Sequence, residues 1–185
     1  MLKLDYRTRA LFTDPLSPKL YYDRIETPKG VFSVLFSSSG LFRICFPGRD
    51  LEQKYLHQLL PWKQLSEDLN RYLAGELVDW DRYPLDTRGY RPFTAAVLEE
   101  VRRIPYGRVS TYRESAERAG YPLAWRAAGQ ALKANRHPIL VPCHRVIASG
   151  GKLGGFSGPA GWKQMLLKIE AGKDGGGYGS HFNRQ

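Results

Sequence analysis

STYRESAERAGYPLAWRAAGQALKAN, residues 110–135, decides the architecture of the second half of the chain. Two short helical segments flank a turn that begins at Gly120. Thr111 and Glu114 have the T-x-x-E spacing of a capping box, which marks Thr111 as a helix N-cap. Gly120 suits the position just past a helix end, where a left-handed backbone is needed. Two helices joined this way form a helix-turn-helix pattern. The second segment is poor in bulk, because Ala127, Ala128, Gly129 and Ala131 leave much of its surface bare. Such a helix either packs tightly on the core or lies against something narrow. Arg126 and Lys133 sit two turns apart on one face, able to meet phosphates. A solvated surface arginine is the plain alternative for Arg126.

Upstream, PFTAAVLEEVRRIPYG (92–107) reads as a helix with Phe93, Val97, Val101 and Ile104 on one face, stopped by Pro105 and Gly107. The irregular, proline-bearing stretch before it predicts a linker over 81–92. Earlier still, YYDRIETPKGVFSVLFSSSGLFRICF (21–46) alternates β-branched and aromatic runs with turn residues and predicts three strands. Cys45, inside the third run, reads as a small buried hydrophobe. DLEQKYLHQLLP (50–61) and WKQLSEDLNRYLAGE (62–76) predict helices, the second through Leu65, Leu69 and Leu73. His57 falls on the first of these as a surface residue.

Downstream, Asn135 ends the small-residue helix. Pro138 opens an apolar run, Ile139-Leu140-Val141, expected to be extended until Pro142 interrupts it. Cys143 then lies at a bend, with His144 beside it. A thiol nucleophile must become a thiolate, which needs a base or a positive field. His144 is the candidate base. Neighbours on an extended chain face opposite ways, so the pair needs a bend or a bridging water. The imidazole also needs an orienting carboxylate. Glu170, in the last turn of the helix predicted over GWKQMLLKIEAG (161–172), is the nearest source. A carboxylate there opposes the helix dipole and calls for compensation. By themselves, an adjacent Cys and His are as compatible with a structural role.

The chain has 185 residues, 42% of them hydrophobic, enough for one or two small domains. No apolar run is long enough to cross a bilayer and the N-terminus lacks a signal-peptide core, which predicts a cytoplasmic protein. Two cysteines without CxxC or HxxxH spacing predict free thiols and no metal site. The net charge is +10 and uneven. Residues 93–185 carry 14 Lys and Arg against 6 Asp and Glu, whereas residues 1–92 carry 14 against 12. A one-sided excess fits a polyanion such as nucleic acid, or simply a basic surface.

Taken together, IPYGRVSTY, RAAGQALKAN, PILVPCHRVI, GGFSG and LLKIEAG, in this order and spacing, resemble the O6-alkylguanine-DNA alkyltransferases (the methylated-DNA–protein-cysteine methyltransferases). The likeness is dense over 93–172 and loose over 20–92. It implies an α+β chain with four parts: an RNase H-like supporting domain (1–80), the linker (81–92), a winged-helix-like helix-turn-helix domain carrying the active cysteine (93–172) and a flexible Gly-rich tail (173–185). It also implies stoichiometric, irreversible transfer of a methyl or larger alkyl group from O6 of guanine, and conceivably O4 of thymine, to Cys143, without cofactor or metal. The partner is double-stranded DNA holding the lesion, whose base is flipped out. A monomer is expected, nucleoid-associated, or nuclear in a eukaryote.

By the same resemblance, His144 is a water-mediated base, Glu170 its orienter and Asn135 the hinge. Arg126 enters the base stack and Tyr112 crowds the target phosphate. Thr111, Ala127, Gly129, Lys133 and Arg136 complete the DNA face. Pro138, Val146, Phe156, Ser157 and Gly158 belong to the pocket, with Ser157 donating to O6 and the Cys143 and Val146 carbonyls accepting from the guanine amino group. A helix of small residues suits the minor groove. The chain departs from the family at Asn135-Arg136-His137-Pro138, which predicts extra charge near the DNA, and at Phe156 and Pro159 in the pocket loop. Three other readings stand beside this one. A non-catalytic damage sensor of the alkyltransferase-like kind lacks the cysteine that is present here. A Cys-His-Glu hydrolase leaves the basic helix-turn-helix without a role. A transcription factor would need more base-reading side chains than this helix offers.

Overall fold

In the computed structural model, residues 19–48 and 55–172 are described. The three expected strands form an antiparallel meander: β1 (Tyr21–Ile25), β2 (Phe32–Ser37) and β3 (Gly40–Cys45). Every residue of the central strand β2 is buried. Phe32, Val34 and Phe36 face the main core, while Ser37 donates to the buried Asp86 carboxylate at 2.7 Å. The helix expected over 50–61 is not formed at its described end. Leu56–His57 instead make a short strand, β4, parallel to β1, giving the order β3-β2-β1-β4. The free edge of β1 offers backbone partners that outweigh the helical propensity of this segment. His57 is exposed, 3.3 Å from Asp23. The helix α1 (Gln64–Leu73) forms as expected and buries Leu65, Leu69 and Leu73. Cys45 is buried and forms no disulfide among the described residues.

The irregular stretch through 92 is built into the fold. Val78, Trp80 and Tyr83 enter the sheet core. Leu41 N–H donates to Pro84 O at 2.9 Å and Asp86 N–H to Leu41 O at 2.6 Å, so this segment flanks β3. Only glycine fits at position 40, where a Cβ would sit 2.5 Å from Pro84 O.

The second half has the four expected helices, α2 (Pro92–Arg102), α3 (Tyr112–Arg118), α4 (Trp125–Lys133) and α5 (Trp162–Ala171), and two short parallel strands that were not expected, β5 (Ser110–Thr111) and β6 (Val146–Ile147). The capping box is closed in both directions, with Glu114 N–H donating to Thr111 Oγ1 at 3.1 Å and Thr111 N–H to Glu114 Oε2 at 2.7 Å. Gly120, at φ 86°, ends α3. Val97, Val101, Ala116, Ala128, Ala131 and Leu132 form the core among α2, α3 and α4.

Residues 138–141 differ from expectation. They make a tight turn rather than an extended run, closed by Val141 N–H to His137 O at 2.7 Å. Ile139 takes φ 76°, a costly conformation for a β-branched residue. Ile139 and Leu140 are fully buried in the sheet core together with Leu166, and that burial offsets the strain. The sheet core is thus completed by residues from the second half of the chain. Ile44 N–H adds a direct stitch to Arg136 O at 2.8 Å. The tail from 173, with His181, and the N-terminal 1–18 lie outside the described residues. Among the described residues no helix is long and apolar enough to cross a membrane.

Candidate active site

Pro142 ends the turn and Cys143–Arg145 wind into one 3-10 turn, with Arg145 N–H donating to Pro142 O at 2.8 Å. Three residues per turn fan three consecutive side chains around the axis. Cys143, His144 and Arg145 are all buried and leave the turn in three different directions.

Glu170 arrives from the last turn of α5. Its Oε1 lies 2.8 Å from His144 Nε2. Its position against the helix dipole is heavily compensated. Arg145 donates from Nε to Oε2 and from Nη2 to Oε1, both at 2.9 Å. Gly107 N–H donates to Oε2 at 3.2 Å, and the Tyr72 hydroxyl to Oε1 at 2.5 Å. Burial alone would raise the Glu170 carboxyl, but the hydrogen bonds from His144 and Arg145 and the Arg145 charge outweigh it and hold the group at about 2. The carboxylate is therefore ionised and can only accept, so His144 Nε2 carries the proton. Burial, with Glu170 opposing, lowers the imidazole and keeps it neutral. Nδ1 is then a bare lone pair, and among the described residues it is a buried atom with no partner. A neutral imidazole with one nitrogen fixed and the other free is a proton acceptor ready for use.

Burial pushes the Cys143 thiol up, while the Asn135 side chain and the Lys163 charge pull it down. Lys163 is itself buried, which lowers its ammonium to about 8. Its Nζ donates to Val146 O at 2.7 Å and to Gly155 O at 3.1 Å, tying the loop before α5 to β6. Asn135 braces the turn below the cysteine. Its Nδ2 donates to Val141 O and its Oδ1 accepts from His137 N–H, both at 2.9 Å.

Cys143 lines a pocket of about 260 Å³ between α4 and the loop 155–157. Tyr112, Phe156 and Ser157 share it, as do Gly129 and Lys133 from α4. The Tyr112 hydroxyl donates to Gly155 O at 3.1 Å, and the Tyr112 ring packs beside Gly129. Phe156 stands edge-on to Phe46 at the end of β3, 5.8 Å between centroids. Arg126 and Ala127 are exposed on the outer face of α4, as are Gln130 and Lys133. The structure thus brings Cys143, His144, Glu170, Asn135, Tyr112, Phe156 and Ser157 together, with Arg126 and Lys133 on the adjoining helix face.

Several residues are placed otherwise than expected. Val146 does not line the cysteine pocket, and its carbonyl already accepts one of its two possible hydrogen bonds, from Lys163. Pro138 and Gly158 line a neighbouring cleft of about 410 Å³ that shares Ser157 with the pocket. Arg136 is not extended toward a DNA face. Its guanidinium lies between the Phe42 and Tyr90 rings, 4.2 Å from each centroid, and donates to Asp86 O and Arg88 O. His137 adds no charge, because burial holds it at about 4 while Nε2 bonds Leu41 O at 2.9 Å. Aromatic faces and buried carbonyls give this pair better partners than solvent does.

Sequence reasoning missed Arg145, Lys163 and Tyr72. Lys163 shares a helix face with Leu166, Leu167 and Glu170, which is a readable signal of burial. Tyr72 has no local signal, since 98 residues separate it from Glu170.

Residues 92–172 match the family described as 6-O-methylguanine DNA methyltransferase, DNA binding domain. Among curated relatives, the methylated-DNA–protein-cysteine methyltransferase of Methanosarcina barkeri is 34% identical, the match covering 82% of this chain and 97% of the relative. The protein of the same name from Mycolicibacterium paratuberculosis is 46% identical over 80% of this chain and 91% of its own. The crystal structure of Mycobacterium tuberculosis OGT in complex with DNA superposes with a TM-score of 0.73 at 33% identity, covering 87% of this chain and 98% of that one. With relatives matched along nearly their whole length, and a buried Cys-His-Glu arrangement beside a helix-turn-helix, the chain belongs to the methylated-DNA–protein-cysteine methyltransferase family.

Proposed function

We propose that this protein repairs O6-alkylguanine in double-stranded DNA by moving the alkyl group to Cys143 in a single, irreversible turnover. The observation that carries this reading is the buried His144, neutral and fixed by Glu170, its Nδ1 without a partner among the described residues, next along the 3-10 turn to Cys143, which lines a pocket. The thiol proton passes to Nδ1 through one water. The Sγ–carbon bond forms as the carbon–O6 bond breaks. The electron pair of that bond returns to the purine, which takes up a proton in place of the one passed to His144 and stays in the strand as guanine. The thioether has no low-energy route back, so the protein is consumed.

The lesion lies inside a duplex, and the base must leave the stack to reach Cys143. The exposed face of α4, small apart from Trp125 at its head and Arg126, Gln130 and Lys133, suits a narrow minor groove. Arg126 fills the space left by the base, Tyr112 crowds the phosphate and Ser157 donates to O6. Phosphate contacts make affinity fall with salt. Residues 1–80 act as a support that seats the pocket, with Phe46 against Phe156 and the sheet core packed on Ile139 and Leu166 of the second half, and 93–172 as the DNA-binding and transfer unit. A protein with this task works in the cytoplasm, at the nucleoid.

The test is intact mass after mixing with a duplex holding one O6-methylguanine. One methyl gained per molecule, absent in Cys143→Ala, supports the proposal. Tight binding without any mass gain would move the reading to a damage sensor.

A further inference from the structure

Arg126 is not a free arginine. The residue before it, Trp125, opens α4, and the Arg126 guanidinium carbon sits 4.6 Å from the centre of its indole. The indole is 41% exposed, at the head of a helix whose outer face is otherwise small or polar. The turn before it adds a second apolar side chain in solvent, Leu123, while Tyr121 is held by Phe93 at 4.8 Å. The N-cap, Ala124, supplies no side-chain bond to the helix end. Trp125 therefore has no capping duty, it is absent from the core among α2, α3 and α4, and its marked contact is with Arg126.

We propose that Trp125 is a positioning residue for alkyl transfer: its indole is a platform that holds the Arg126 guanidinium over the head of α4, aligned for entry into the duplex. This rests on the reading of Arg126 as the side chain that replaces the flipped base. A long arginine in water samples many rotamers, and each insertion attempt must first select a usable one. Stacking on tryptophan, the strongest aromatic partner for a cation, narrows that choice before DNA arrives. The platform acts on the step that opens the stack and leaves the phosphate contacts unchanged.

The experiment is single-turnover transfer from a duplex with one O6-methylguanine, followed by intact mass. The variants are Trp125→Ala, Trp125→Phe, Arg126→Ala and the double variant. Trp125→Ala is expected to slow transfer about two- to fivefold. Trp125→Phe should recover part of the rate, and affinity for undamaged duplex and its salt slope should stay within about twofold of the parent. In the Arg126→Ala background, Trp125→Ala should change nothing further. Faster transfer in Trp125→Ala would overturn the proposal, since the indole would then be holding the guanidinium back. Equal slowing in both backgrounds would also overturn it, because the indole would be touching DNA itself. A parent protein that gains no methyl group at all would refute the repair reading instead. Thermal unfolding of Trp125→Ala, a change to the best helix former, checks that the fold is intact.

Discussion

Replacing Glu170 by glutamine isolates the interaction on which the buried site depends. In the native protein the carboxylate accepts from His144, Arg145, Gly107 and Tyr72 at once. A glutamine keeps one oxygen and turns the other acceptor into a donor, which then faces donors. The Arg145 guanidinium is left without its counter-charge in a site where both side chains are nearly inaccessible. Removing one partner of such a pair costs about 3–5 kcal/mol. A second route gives a similar figure. The Glu170 carboxyl is held at about 2 against an ordinary 4.5, a shift equivalent to about 3 kcal/mol. The sign follows from the depression. The contribution is complete above the unfolded value and is lost as pH falls toward the folded one, with about 1 kcal/mol gone by about pH 3.5. Urea unfolding of parent and Glu170→Gln should therefore differ by about 3 kcal/mol or more at neutral pH, and by less in acid. A neutral-pH difference below about 1 kcal/mol, or one indifferent to acid, would refute the account of the site as one ionised carboxylate gathering donors from four residues.

Lys163→Met should remove a pH dependence of the same sign at the alkaline end of the range. The Lys163 ammonium is lowered to about 8 from 10.5, so the unfolded chain binds more protons between these values and the parent gains stability as pH rises through them. In the variant that rise should flatten, and alkylation of Cys143 by iodoacetamide at neutral pH should slow as the nearby cation is lost. Gly158→Ala would place a Cβ 2.3 Å from the Phe156 ring and 2.7 Å from the Phe46 ring. The pocket loop must shift, and single-turnover transfer should fall on the order of 10- to 100-fold with little change in unfolding temperature.

Much of this protein is legible without coordinates because much of it is local. The strands β1 to β3, the helices α2 to α4 and the capping box at Thr111 follow from neighbours within four residues. The pairing of His144 with Glu170 was also readable, since a base needs an orienter and one helix in the right place offers a carboxylate. Where local preference met a distant partner, it lost. The segment around Leu56 has helical spacing, yet an open strand edge recruits it. Ile139-Leu140-Val141 looks extended, yet burial against the sheet core bends it into a strained turn. Arg136 and His137 look like added charge, yet one is sandwiched by Phe42 and Tyr90 and the other is buried neutral.

Residue types alone single out the groups: the Cys143 thiol, the His144 imidazole and the small-residue helix beside them. Their support is visible only in three dimensions, because Tyr72, Arg145 and Glu170 meet from distant parts of the chain and Lys163 reaches back to the Val146 carbonyl. Reactive groups carry their identity in covalent structure. Their protonation is set by burial and by charges a few ångströms away, and chain folding alone places those.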